Sequence, residues 1–183
     1  SSIYVSLFTS IANLFLTLFL WYSFDNNISA FQFVEEKNWI SGLIKFKLGI
    51  DGISILFVIL TAFIAPICII SCVNSIKERV KEFLIAILIL ETFMLGVFCS
   101  LDLVIFYLFF EAGLIPMFII IGVWGGSRKV YSAFKFFLYT LLGSVLMLVA
   151  IISIYWLTGT TDIVKIFKIK ISKEYQYLLL AFF

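Results

Sequence analysis

Three ionisable side chains stand inside apolar runs, where chemistry has to be done without bulk water. Glu111 is flanked by Tyr107-Leu108-Phe109-Phe110 and Ala112-Gly113-Leu114-Ile115. Glu91 sits among Ile89, Leu90, Thr92 and Phe93, and Lys135 within Ser132-Ala133-Phe134-Lys135-Phe136-Phe137. A carboxylate in such surroundings is costly to keep, and where it persists inside a membrane it marks a functional site by default. Loss of water penalises its charged form, so Glu111 can take and release a proton near neutral pH, as a proton relay requires. Pro116 lies five residues on. It has no N–H to give the carbonyl of Ala112, so the helix there is expected to kink and free a polar group beside Glu111. The competing reading of Glu111 is a carboxylate held in a static ion pair.

Glu91 and Glu111 lie at similar distances from the tight turn at Ser100 to Asp102. Two carboxylates at one level could share a proton, although helical phase does not show that they face each other. Lys135 is either a helix-end lysine snorkelling to the headgroups or the partner of an intramembrane carboxylate. Asp102, at a helix start, reads as a cap for free amides. Pro66 should kink another helix and free the carbonyl of Ala62.

Other chemistries are poorly supplied. The chain has no histidine, which removes the commonest general base and metal ligand. Cys68 and Cys72, one helical turn apart, and Cys99 read as small buried or lipid-facing residues, with too few further ligands for a metal site. A net charge of +2 is too small to suggest nucleic acid. Asn27-Ile28-Ser29 matches a glycosylation triplet of the kind that recurs by chance.

The elements that must position these residues follow from composition. Of 183 residues, 63% are hydrophobic and 13% charged, against about half apolar and a quarter charged in a soluble domain. Lipid must cover part of this surface. Continuous apolar runs of about membrane-spanning length predict helices over residues 3–24, 51–73, 83–100, 103–124 and 130–157, with a further one at 175–183 that stops short. Alternation is absent from these runs, which are too long for barrel strands. The expected class is an all-α, polytopic transmembrane bundle, a single membrane domain over 1–183. Residues 25–50 read as a long polar loop, 74–82 and 125–129 as short basic loops, and 158–174 as a polar connection. Alternation puts the two short basic loops on one side, and basic residues packed near helix ends favour that side as the inside. No basic leader or cleavage site precedes the first run, so it does not read as a signal peptide, and both ends of the sequence look cut.

Around Glu111 the sequence also resembles a known family. Phe109-Phe110-Glu111-Ala112-Gly113-Leu114-Ile115-Pro116-Met117, Ile121-Gly122-Val123-Trp124-Gly125-Gly126 and Ala133-Phe134-Lys135-Phe136-Phe137-Leu138-Tyr139-Thr140-Leu141-Leu142-Gly143-Ser144 resemble motifs of the subunit 4 family of respiratory complex I. Leu48-Gly49-Ile50-Asp51-Gly52-Ile53-Ser54 and Thr158-Gly159-Thr160-Thr161-Asp162 are similar to it as well, and the matches run in order from about Leu48 onward. The resemblance implies an antiporter-like fold of about fourteen helices with inverted repeats, of which this chain would hold the second to sixth helices and the start of the seventh. It implies that Glu111 is the proton-channel carboxylate of the fifth helix and that Lys135 belongs to the family's charged series. It implies, too, that the chain holds no redox cofactor, with NADH, FMN, iron–sulfur clusters and ubiquinone in other subunits. The lysines of later helices that would face Glu111 are not in this sequence; the same polypeptide or a second chain would supply them. The other membrane subunits of complex I would be its partners. A cation/proton antiporter subunit is the alternative. The Phe-, Ile-, Lys- and Asn-rich composition fits organellar coding, hence a mitochondrial inner membrane, with a bacterial plasma membrane as the other option.

Overall fold

A computed structural model describes residues 2–25, 27–28, 30–40, 44–170 and 172–182, apart from the side chains of Ile40, Asn74, Glu174 and Leu178. Ser29 of the glycosylation triplet and Phe183 of the last predicted run lie outside the described residues. The order of elements is α1 (Ser2–Tyr22), β1 (Gln32–Ile40), β2 (Ile44–Ile50), α2 (Ser54–Ser75), α3 (Val80–Cys99), α4 (Leu103–Trp124), α5 (Lys129–Thr158), α6 (Ile163–Ile166) and α7 (Lys173–Phe182). Among the described residues, α1 to α5 are the 5 helices long and apolar enough to cross a membrane.

The polar segment before α2 departs from the expected loop: it holds an antiparallel hairpin beside the helical membrane bundle. The physical reason is legible in β2, where Ile44, Phe46, Leu48 and Ile50 alternate with Lys45, Lys47 and Gly49, the period of a half-buried strand. Glu36 pairs with Lys47 in the register, and Lys45 forms an ion pair with Glu36. The hairpin docks on the bundle through its backbone: Leu101 N–H donates to the Lys47 carbonyl at 3.0 Å.

Short acidic side chains hold the starts of α2 and α4. Asp51 Oδ1 accepts from Ser54 N at 2.6 Å at the entry to α2. Asp102 Oδ1 accepts from Val104 N at 2.9 Å and caps α4 as expected. The α5 helix ends at Gly159, whose φ of 70° suits glycine. Pro66 and Pro116 are buried inside α2 and α4, and both helices continue through them.

Helices α1, α2 and α3 pack together, α4 lies between α3 and α5, and α7 packs on α5. In α1 the inward stripe is polar: Ser6, Ser10 and Thr17 are buried, while Tyr4, Phe8, Phe15 and Phe19 face outward. The Ser10 and Thr17 hydroxyls are satisfied on their own helix, donating to the Leu7 carbonyl at 3.0 Å and the Leu14 carbonyl at 2.8 Å. The α3–α4 contact is close because Gly96 admits the Phe109 ring; a Cβ there would stand 2.6 Å from it. The short loops share one end, where Trp124 Nε1 donates to the Glu78 carbonyl at 2.9 Å.

Candidate functional site

Glu111 lies about 12 Å along α4 from its first residue, at a rise of about 1.5 Å per residue. On that helix Phe109 and Gly113 meet Phe93 of α3, while Phe118 meets Phe134 and Phe137 of α5. Glu111 is two positions from both Phe109 and Gly113, hence about 200° around the helix from the α3 contact. It therefore turns toward α5. One turn earlier, half-buried Tyr107 projects from the same face of α4, and on α5 the buried Ser144 Oγ donates to the Leu141 carbonyl at 2.9 Å. Glu111 Oε1 is buried and accepts no hydrogen bond among the described residues. A buried oxygen in this condition carries an unmet desolvation cost.

Glu91 occupies a separate place. It stands two positions from Phe93, so it too is about 200° away from the α3–α4 contact, on the other side of the pair. It is 6% exposed, and Asn13 Nδ2 of α1 donates to its Oε1 at 2.6 Å. A cleft of about 180 Å³ lies beside it, lined by Thr61, Ala65 and Cys68 of α2. The two carboxylates thus back away from each other. The shared proton that their similar depth allows does not follow from this geometry.

Lys135 is exposed on α5, with its Nζ 6.0 Å from the centroid of the Tyr139 ring. It precedes Ser144 by nine residues, or half a turn out of phase and about 13 Å along the axis. Lys135 therefore faces away from α4, and among the described residues it makes no ion pair with Glu111 or Glu91. Pro116 is buried within the same helix.

Sequence reading missed the polar node at the hairpin end. Lys47 Nζ reaches Asp162 Oδ2 at 2.7 Å, with both side chains largely buried. Asp162 caps α6 by accepting from Val164 N at 2.9 Å. Desolvation alone would push its carboxyl up, but the bond and charge of Lys47 and the two backbone amides outweigh it and hold it below its ordinary value. Asp102 is 1% exposed and also accepts from Thr161 Oγ1 at 2.5 Å. Two reciprocal backbone bonds join these segments: Leu103 N–H to the Thr161 carbonyl and Ile163 N–H to the Leu101 carbonyl, both 3.0 Å. The only sequence sign was the likeness of Asp102-Leu103-Val104 to Asp162-Ile163-Val164, two helix starts of one pattern.

Residues 100–183 match the family described as NADH:quinone oxidoreductase/Mrp antiporter, transmembrane. The chain is 57% identical over 161 residues to NADH-quinone oxidoreductase subunit M of Rhodobacter capsulatus, covering 88% of this chain and 31% of that protein. It is 51% identical over 182 residues to NADH-ubiquinone oxidoreductase chain 4 of Marchantia polymorpha, covering 98% of this chain and 37% of that one. It thus spans about a third of the length of these curated relatives. In fold it is similar to a chain of respiratory complex I from Thermus thermophilus, with a TM-score of 0.86 at 24% identity, over 100% of this chain and 38% of that one. A multi-pass membrane protein by its helices, the chain belongs to the family of NADH:quinone oxidoreductase and Mrp antiporter membrane subunits.

Proposed function

We propose that this chain is part of a proton-translocating membrane subunit of NADH:ubiquinone oxidoreductase, and that Glu111 carries the proton. The observation that carries the reading is a carboxyl within an apolar helix, one oxygen of which is buried with no hydrogen-bond partner among the described residues. Glu91, paired with Asn13, would be a second protonation site on the α1–α2 side. Lys135, on the open face of α5, would meet a group contributed by later helices of the same polypeptide or by a second chain. The chain would hold no redox cofactor; NADH, FMN, iron–sulfur clusters and ubiquinone would act in other subunits. Electron transfer there would move a charged element that changes the protonation of Glu111. The setting would be the mitochondrial inner membrane, or the plasma membrane in a bacterium, alongside the other membrane subunits of the complex.

The test is Glu111→Gln in the intact complex, reconstituted in vesicles. Proton uptake driven by NADH should fall by about tenfold or more, while NADH oxidation with an artificial acceptor, which reports the assembled redox module, stays at the wild-type rate. Full pumping by this variant would sink the assignment. The family description also covers Mrp antiporters, so a second reading is a cation/proton antiporter subunit. Sodium-dependent proton exchange without NADH, abolished by the same substitution, would favour it.

A further inference from the structure

Glu91 has surroundings that a proton carried by Glu111 does not need. It is 6% exposed near the middle of α3, and the Asn13 amide donates to its Oε1 at 2.6 Å. Asn13 continues the buried polar stripe of α1, Ser6, Ser10 and Thr17, at helical spacing. A carboxylate has about four acceptor positions, and Asn13 fills one. Beside it runs the cleft of about 180 Å³, walled by Thr61, Ala65 and Cys68 of α2 and by Ile87, Glu91 and Met94 of α3. Steps of four and three residues put each set on one stripe of its helix, about 10 Å long. The Thr61 hydroxyl donates to the Phe57 carbonyl at 2.8 Å, and its oxygen can still accept.

Two occupants compete for this space. An acyl chain would press hydrocarbon against a carboxylate, which is costly at membrane depth. Water would complete the hydrogen bonding of Glu91 and Thr61, and the cleft has room for several molecules at about 30 Å³ each. We propose that the α2–α3 cleft is a water chamber serving Glu91. The inference deepens the reading of Glu91 as a second protonation site and rests on it for the use of that water. Glu91 stands about 200° around α3 from the α4 contact, so the chamber supplies its protons by a path that does not pass Glu111.

Cys68, half-buried in the chamber wall, is a native reporter. Methanethiosulfonates react with the thiolate, which forms only where water reaches the sulfur. The complex in its native membrane is treated with the trimethylammonioethyl reagent, and modification of this chain is followed by peptide mass. The reference is Ile67→Cys in a Cys68→Ala background, because Ile67 is 50% exposed on the apolar outside of α2. Cys68 should react about tenfold faster, or more, than the thiol of Ile67→Cys. Glu91→Gln should lower several-fold the ratio of the Cys68 rate with this cation to that with the anionic sulfonatoethyl reagent, since the neighbouring charge is gone. Equal rates at the two positions, fast or slow, would overturn the chamber. An unchanged ratio in Glu91→Gln would overturn its link to Glu91. Protons moved per NADH are read in the same variant: wild-type pumping with fast labelling of Cys68 would strike the protonation role of Glu91 and leave the chamber standing.

Discussion

At the scale of single residues, the ion pair between Lys47 and Asp162 invites the clearest stability experiment. Both side chains are mostly out of water at 2.7 Å, so removing one partner leaves an unpaired buried charge, at a cost of about 3–5 kcal/mol. Lys47→Met should therefore lower the melting temperature of the purified complex. The pH dependence has a definite sign. The folded-state carboxyl of Asp162 is held below its ordinary value, so the pair contributes fully above the unfolded value and is lost as pH falls through the folded one. Wild type and Lys47→Met should thus converge in stability on acidification below the usual carboxylate range; a gap that stays constant there would contradict the assignment. The place of Glu111 inside an apolar helix and the cap formed by Asp102 were legible in the sequence, because a carboxylate inside or at the edge of an apolar run has few explanations. The partnership of Lys47 with Asp162, like that of Glu91 with Asn13, was not. Each joins residues far apart in the chain, and only tertiary packing decides which of several polar side chains meet.

At the scale of elements, helices could be read from apolar length alone, because a bilayer demands about twenty residues whatever their order. Length says nothing of which face each helix shows its neighbour. The separation of Glu91 from Glu111 across the α3–α4 pair came from the positions of Phe93, Gly96 and Phe109. The hairpin was hidden for another reason: β1 carries Glu35, Glu36 and Lys37 in succession, a charge run that masks the alternation plain in β2. The α3–α4 contact can be tested at its closest point. Gly96→Ala places a methyl 2.6 Å from the Phe109 ring, and overpacking of this kind costs about 1–3 kcal/mol. Gly143→Ala is the matched control, since no atom lies within 4 Å of a Cβ there and helix propensity favours alanine by about 0.5–1 kcal/mol. Thermal unfolding of the purified complex should separate the two variants in opposite directions; equal melting temperatures would mean that α3 and α4 are not held at this distance.

At the scale of the whole molecule, the two ends differ in how their charge is spent. At the hairpin end Lys45 and Lys47 are paired with Glu36 and Asp162. At the short-loop end Lys77, Arg79, Lys81, Arg128 and Lys129 cluster beside the helix termini; Arg79 and Glu82 stand 3.8 Å apart, and Lys129 Nζ donates to the Val123 carbonyl at 2.7 Å. Counting lysines and arginines loop by loop does not separate the sides, because Lys37, Lys165, Lys168, Lys170 and Lys173 lie at the hairpin end as well. Basic residues packed beside helix ends predict that the short-loop end lies inside. A membrane-impermeant thiol reagent should label Ser127→Cys only in inverted vesicles and Asn38→Cys only in right-side-out ones; the opposite pattern would reverse the topology. The reciprocal pair of backbone bonds between Leu101–Leu103 and Thr161–Ile163 bears on motion as well as on folding. A piston-like slide of α4 along α5 would have to rupture both bonds together, together with the Asp102–Thr161 contact. A tilt about that end leaves all of them in place. Any tilt of α4 against α5 would therefore pivot at the hairpin side and change most the helix spacing farther along, around Glu111.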